Sequence, residues 1–191
     1  MSTLKIFPEN WSMDSDVEMG DIFSDETIIA RELHAIGVQF ESWQTPHDLS
    51  DLSTEMEILK AYSPQVDRLK QQHGFSTVDV VNLHENHPDR ASLRQKFLSE
   101  HTHSDFEVRF FVDGQGLFYL HYGNKVYAVL CKKGTLISVP AGVKHWFDMG
   151  AQPSFTCIRL FSDPAGWVAE YTGSQIAEKF PLLEQFEPAV A

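Results

Sequence analysis

The sequence predicts a mainly β protein, an antiparallel barrel with helices gathered at one side. Two observations predict this class. From about residue 101, short runs rich in Val, Phe, Tyr, Ile and Leu alternate with glycine-containing turns, which is typical of an antiparallel sandwich or barrel. Before that point, apolar residues recur mostly at helical spacing. With 191 residues and 42% hydrophobic content, the chain can form one domain with a sizeable core.

The N-terminal part, about residues 1–99, is predicted to be mostly helical. In SDETIIARELHAIG, Ser24 is the candidate N-cap, Ile29 and Leu33 share one face, and Gly37 is the stop signal. Three further helices are predicted: from about Ser53 to Tyr62, from Ser63-Pro64 to Gly74, and from about His87-Pro88 through Leu93 and Phe97. These helices should flank the barrel.

The barrel core is predicted over about residues 100–162. The predicted strands are FEVRFFV, LFYLHY, VYAVLC, TLISVPA and FTCIRLF, with turns at residues 113–116, 123–124 and 133–134. The C-terminal segment, residues 163–191, should pack back on the body, and its last residues, EPAVA, should fray. The whole chain, residues 1–191, is therefore expected to be a single domain.

Composition excludes several classes of partner. The formal net charge is −12 and no run of Lys or Arg offers a phosphate-binding footprint, so nucleic acid and anionic membranes are not expected partners. No signal peptide is visible, and no apolar run approaches the ~20 residues that span a bilayer. Cys131 and Cys157 lie in apolar, strand-like surroundings and are expected to be reduced core residues. We expect a cytoplasmic monomer.

The stretch HTHSDFE, His101 to Glu107, carries the main chemical signal. In an extended strand, residues two apart point to the same face, so His101, His103, Glu107 and Arg109 share one side if no bulge intervenes. Burying these groups without partners is costly, and a divalent metal resolves the cost by accepting two imidazole nitrogens and a carboxylate oxygen. The two histidines alone would fit an exposed strand end better, and Arg109 would fit a surface salt bridge.

A fourth candidate ligand comes from GTLISVPAGVKHWF. Pro140 and Gly142 favour a sharp turn that returns the chain to the barrel mouth and presents His145 to the first three ligands. Because Glu107 and His145 add two further potential ligands to the histidine pair, we interpret the set as a metal site and not as a polar strand end. Trp146 and Trp167 are expected to be packing residues, and His121 a structural or surface residue.

Both stretches resemble the motifs of the cupin superfamily. HTHSDFEVRFFVDG fits H-x-H-x3-E-x6-G from His101 to Gly114, and GTLISVPAGVKH fits G-x5-P-x-G-x2-H from Gly134 to His145. Two positions depart from the usual motifs: Gln95 stands where a glycine is common, and Met149 where an Asn is common. Neither is a ligand position. The resemblance implies a single cupin barrel (a double-stranded β-helix or jelly roll) with flanking N-terminal helices, an α+β arrangement.

Within the superfamily, the chain resembles the acireductone dioxygenase family over most of its length. The resemblance is densest in KFLSEHTHSDFEVRFFVDGQGLFYLH, LISVPAGVKHWFDMG and IRLFSDPAGW. It implies a metal site of His101, His103, Glu107 and His145, and a catalytic, substrate-facing Arg109. It also implies that Phe97 and Phe147 wall the substrate pocket, where plain core packing is the alternative, and that Glu100 aids metal loading. Phe106 stands where some relatives have an acidic residue, so that residue's role is not carried over.

The resemblance also implies a reaction. Fe(II) or Ni(II), one per chain, would serve as cofactor, and the substrates would be a small-molecule acireductone and O2. With iron, 1,2-dihydroxy-3-keto-5-methylthiopentene would give 4-methylthio-2-oxobutanoate and formate, a step of methionine salvage. With nickel, the products would be 3-methylthiopropanoate, formate and carbon monoxide. Another metal-dependent cupin dioxygenase and a non-catalytic cupin binding protein remain the alternatives.

Overall fold

The computed structural model describes residues 1–47, 49, 54–163 and 168–186. Its helices are α1 Glu26–His34, α2 Glu55–Ala61, α3 Ser63–His73, α4 Arg90–Leu98 and α5 Leu183–Phe186, with a 3-10 turn at Ile176–Lys179. Its strands are β1 Thr3–Pro8, β2 Ile22–Phe23, β3 Gln39–Ser42, β4 Thr77–Leu83, β5 His101–Thr102, β6 Glu107–Tyr122, β7 Lys125–Lys132, β8 Thr135–Val139, β9 Lys144–Asp148, β10 Phe155–Phe161 and β11 Glu170–Tyr171.

Two antiparallel sheets form the barrel, and β6 belongs to both. One sheet has the order β11-β5-β9-β6-β7-β1-β2, and the other has the order β4-β10-β6-β8-β3. Buried aromatic and aliphatic side chains of both sheets fill the space between them. This is the predicted jelly-roll barrel with helices at its flank.

The predicted turn at residues 113–116 is wrong, because β6 runs through it as one long strand. The first half of β6 pairs with β10 and β8, and the second half pairs with β7 and β9. The register with β10 shifts beside Val112, which is a β-bulge that lets the strand pass from one sheet to the other. Gly114 has φ +71°, and a Cβ there would lie 1.9 Å from the carbonyl oxygen of Ser154. Gly114 therefore lies at a barrel corner and not in a hairpin turn.

The N-terminal part contains more than the predicted helices. Strands β1 and β2 extend one sheet, whereas β3 and β4 form the edges of the other. The strands β1, β3 and β4 were not predicted. Their pairing partners, β7, β8 and β10, lie far along the chain, so neighbouring residues give little indication of the pairing. The residues 1–99 therefore complete the barrel and also flank it.

The helix boundaries follow local capping chemistry. Helix α1 is capped by Asp25, not by Ser24, because the Asp25 carboxylate accepts hydrogen bonds from the N–H groups of Thr27 and Ile28. Thr54 and Glu57 form a capping box at the start of α2. Helix α3 ends at Gly74, whose φ is +73°. The predicted helix start at Ser53 lies outside the described residues.

Several smaller expectations about the core are confirmed. Cys131 and Cys157 are buried free thiols. Trp146 is buried, and its ring stacks on Tyr119 with centroids 4.9 Å apart. Trp167 and the EPAVA tail lie outside the described residues. Within the part of the chain that the structure describes, no helix combines the length and the apolar character that crossing a membrane requires.

Candidate metal centre

Three strands and one loop bring the four predicted ligands together. His101 lies on β5 and pairs with His145 on β9, while Glu107 begins β6. One potential ligand atom from each of His101, His103, Glu107 and His145 lies within 4.8 Å of the others. The premise of one continuous strand is wrong, since residues 103–106 form a bend between β5 and β6. The four side chains nevertheless converge.

Backbone carbonyls orient all three imidazoles. The Nδ1 atoms of His101, His103 and His145 lie 2.7, 3.1 and 2.7 Å from the carbonyl oxygens of Ser99, Val168 and Val143. A carbonyl oxygen can only accept, so in a neutral ring each Nδ1 carries the proton and each Nε2 carries a lone pair. Such outer hydrogen bonds are the usual means of holding a histidine ready for a metal.

Two buried atoms at the centre lack hydrogen-bond partners. They are Oε2 of Glu107 and Nε2 of His145, which lie 2.7 Å apart without forming a hydrogen bond. Nε2 of His103 lies 3.5 Å from the same Oε2. Lone pairs that face one another in a buried site are unfavourable unless a cation lies among them. The three imidazoles and one carboxylate therefore fit a divalent metal cofactor.

Electrostatics favour the metal-binding protonation states of His101 and Glu107 in particular. Burial and the neighbouring His145 lower the pKa of His101 to about 4, so this ring is neutral near pH 7. Burial alone would raise the pKa of Glu107, but Arg109 and the neighbouring imidazoles of His103 and His145 hold it well below its usual range. Burial opposes protonation of His103, but Glu107 outweighs it and raises the pKa of that imidazole. Glu107 is therefore ionised, and its negative charge acts on the neighbouring imidazoles.

Arg109 is buried beside the ligands, on the pocket side. Its Nε donates to Oε1 of Glu107 at 2.5 Å, and its Nη1 donates to Sγ of Cys157 at 3.8 Å. Its guanidinium carbon lies 5.8 Å and 5.4 Å from the ring centroids of Phe118 and Phe147. The exposed salt bridge considered from sequence is wrong, because the arginine is held inside by a carboxylate, a thiol and two aromatic rings.

A cavity of about 640 Å³ opens onto the ligand cluster. It is walled mainly by apolar side chains from α4, β4, β10 and the β11 region, and Arg109 and three of the four ligands, His101, His103 and Glu107, also line it. Phe97 lines the cavity, whereas Phe147 is buried behind it, with ring centroids 6.2 Å apart. Phe147 packs against Phe111 and Phe118 as well, so its contact with the site is through Phe97 and Arg109.

Several lining residues were missed from the sequence. They are Val81, Leu83, Leu93, Lys96, Arg159, Phe161, Val168, Ala169 and Tyr171. Two of them carried a signal: Arg159 interrupts the apolar strand FTCIRLF, and it shares parity with Phe161 on that strand. The run TVDVVNL of β4, rich in valine, was not assigned as a strand. The β11 residues carried no strong pattern, since that strand has only two residues.

Glu100 is buried but faces away from the cavity. One carboxylate oxygen lies 2.7 Å from Nδ1 of His121, and the other accepts from the Thr172 hydroxyl at 2.7 Å. The Nε2 of His121 lies 3.2 Å from a carboxylate oxygen of Glu9. His121 is therefore a structural residue, and Glu100 ties β6 and the segment after β11 to the strand that carries His101.

Comparison with known proteins agrees with this geometry. The model of the ARD/ARD' family matches residues 10–169, which is most of the chain. The chain belongs to the ARD/ARD' family. Acireductone dioxygenase of Marinobacter nauticus is 54% identical over 96% of this chain and 97% of its own length. Acireductone dioxygenase of Aquifex aeolicus is 51% identical over 97% of this chain and 98% of its own length.

A solved ARD-family structure has the same fold. It is an acireductone dioxygenase from Bacillus anthracis with a cadmium ion in the active center. The two chains superpose with a TM-score of 0.77 at 28% identity, covering 90% of this chain and 98% of that one. The cupin barrel and the candidate metal site therefore agree with dioxygenase chemistry in a member of this family.

Proposed function

We propose that this protein is a metal-dependent acireductone dioxygenase that cleaves 1,2-dihydroxy-3-keto-5-methylthiopentene with O2. With Fe(II) the products are 4-methylthio-2-oxobutanoate and formate, which serve methionine salvage. With Ni(II) they are 3-methylthiopropanoate, formate and carbon monoxide. The observation that carries this proposal is the buried, unpartnered Oε2 of Glu107, a cavity-lining residue, which faces the equally unpartnered Nε2 of His145 in a chain of this family.

The metal would be held by His101, His103, Glu107 and His145. A divalent ion there would lower the pKa of oxygens bound to it and would orient the substrate. Three neutral imidazoles and one carboxylate suit Fe(II) and Ni(II), and the donor set does not choose between them. One ion per chain is expected, since the structure offers a single cluster of this kind among the residues it describes.

Arg109 would act on the substrate's oxygens. Its Nε is committed to Glu107 and its Nη1 to Cys157, so the remaining N–H groups are those available toward the cavity. A buried guanidinium stays protonated, because burial is outweighed by Glu107 and the pKa of Arg109 lies above its usual value. It can therefore stabilise negative charge on an enolate oxygen in a site with little water.

The apolar walls would receive the methylthio tail. Leu83, Leu93 and Phe97 are lining residues that present hydrocarbon, and Phe161 adds an aromatic ring. An apolar lining also excludes water, which strengthens the electrostatic effect of Arg109 on the substrate. Phe147, behind Phe97, holds both Phe97 and Arg109 in place rather than meeting the tail directly.

The decisive experiment is metal analysis followed by product analysis. Protein purified from its native source should carry about one Fe or Ni per chain. Reloaded with each metal and given the acireductone and O2, it should form the products stated above for that metal. Absence of substrate consumption in both loaded forms would overturn the proposal and favour a non-catalytic cupin.

A further inference from the structure

The charged groups that line the cavity are not equally neutralised. The cavity lining includes three cations, Lys96, Arg109 and Arg159. Arg109 is paired with Glu107, and Arg159 makes two hydrogen bonds to the Asp79 carboxylate at 2.9 and 2.6 Å. Lys96 makes no hydrogen bond or ion pair with another residue of the described part of the chain. It therefore supplies unneutralised positive charge to the cavity.

The position of Lys96 suits a role at the entrance. It lies in the last turn of α4, directly before Phe97, which walls the cavity. Its side chain is exposed, whereas Arg109 and the ligands lie deeper. A lysine in this setting keeps its stem on the apolar wall and its ammonium in water. An approaching ligand would meet this charge before it reaches Arg109.

We propose that Lys96 attracts the anionic acireductone to the cavity and sets the salt dependence of substrate capture; this rests on the proposed function. The ionised enediol is negatively charged, and the chain as a whole carries a formal charge of −12, which repels anions. A local cation at the mouth of a low-dielectric cleft offsets that repulsion and raises the association rate. Lys96 thus acts on encounter, and Arg109 on the bound substrate.

Lys60 provides a matched control. It too is an exposed lysine in the last turn of a helix, α2, and it does not belong to the lining of this cavity. A favourable interaction with the helix dipole is the alternative explanation for either lysine. Lys60→Gln and Lys96→Gln each remove one positive charge from the last turn of a helix, so a difference between their effects measures the contribution of the cavity position.

The test measures anaerobic association of the acireductone with Ni-loaded protein by stopped flow, and kcat/KM with O2, across ionic strength. At low salt, Lys96→Gln should lower both the association rate and kcat/KM by roughly threefold to tenfold, with a much smaller change in kcat. The difference should shrink as the Debye length falls below ~8 Å. Lys96→Arg should restore the rate, and Lys60→Gln should match the unsubstituted protein.

Two results would overturn the role of Lys96 alone. One is equal association rates and salt dependence for Lys96→Gln and Lys60→Gln. The other is a loss confined to kcat with an unchanged association rate. If the unsubstituted protein takes up nickel and iron but neither binds nor consumes the acireductone, the proposed function fails, and the role of Lys96 fails with it.

Discussion

Glu107 and Asp148 are both buried carboxylates that face an arginine, yet their surroundings differ in one respect. Both oxygens of Asp148 are satisfied: Arg94 donates to each, at 2.7 and 2.9 Å, and two backbone N–H groups add further hydrogen bonds. Glu107 has one oxygen bonded to Arg109, whereas its other oxygen faces the histidines without a partner. The same ion pair is complete in one region and incomplete in the other.

This difference separates a structural ion pair from a functional one. The Asp148 group joins α4, β9 and α5, because Arg94 also binds Glu184 and the Leu183 N–H reaches Asp148. A fully bonded buried carboxylate has no capacity left for a ligand. An unpartnered buried oxygen is costly, and a protein retains it where a ligand completes it. The number of hydrogen bonds that each carboxylate accepts, and not its charge, distinguishes Asp148 from Glu107.

The largest expected effect is on metal binding at the incomplete pair. His145→Ala removes the Nε2 donor that faces Glu107, and we expect metal content well below one per chain and turnover reduced more than 100-fold. Metal analysis and the O2 assay measure these losses. His73→Ala, a histidine of α3 outside the cluster, is the control. Full metal content in His145→Ala would mean that the cluster is not the metal site.

The complete pair should respond in stability instead. Asp148→Asn leaves Arg94 without its bidentate carboxylate, and we expect the free energy of unfolding to fall by roughly 3 kcal/mol. Denaturant titration of the metal-free protein measures it. Metal content per folded chain should remain near that of the unsubstituted protein. A loss of metal with no loss of stability would contradict the division between the two carboxylates.

A smaller effect is expected where Cys157 contacts Arg109. Cys157→Ala removes the Nη1 contact and should lower kcat about fivefold, the equivalent of roughly 1 kcal/mol for one hydrogen bond. Cys157→Ser, which keeps an acceptor, should recover most of the rate. Cys131→Ala, which removes the other buried thiol, should lower the free energy of unfolding about as much as Cys157→Ala but should leave kcat unchanged. Equal kcat values for Cys157→Ala and Cys131→Ala would exclude a positioning role.

The smallest effect is expected at Glu184, the exposed edge of the complete pair. Its side chain is 47% exposed, so Glu184→Gln should cost only about 0.5 kcal/mol of stability. Burial raises the pKa of Glu184, but the Ala151 N–H and Arg94 outweigh it and lower that pKa below its ordinary value. Its contribution is therefore present above the ordinary pKa and disappears as pH falls through the lowered value. Denaturation measured at pH 7 and at successively lower pH should show the difference at pH 7 and its progressive decrease in acid.

Local sequence patterns predicted much of the fold and the ligand set. The strands after residue 101, the stop of α3 at Gly74 and the turn before His145 depend on neighbouring residues and on spacing. The prediction failed where distant pairing decided the outcome. Gly114 was predicted to lie in a turn. A side chain there is excluded by the Ser154 carbonyl, which lies forty residues away, so the neighbouring sequence does not reveal its place at a barrel corner.

The sequence by itself determined the chemistry: which residues can bind a metal, and that His101, His103, Glu107 and His145 form one motif set. Only the tertiary structure decided the pocket. Pairing of β4 with β10, and of β11 with β5, brings Leu83, Arg159 and Tyr171 to the same cavity. The physical reason is that donor chemistry belongs to each side chain, whereas a cavity wall and an unsatisfied oxygen are properties of non-local packing.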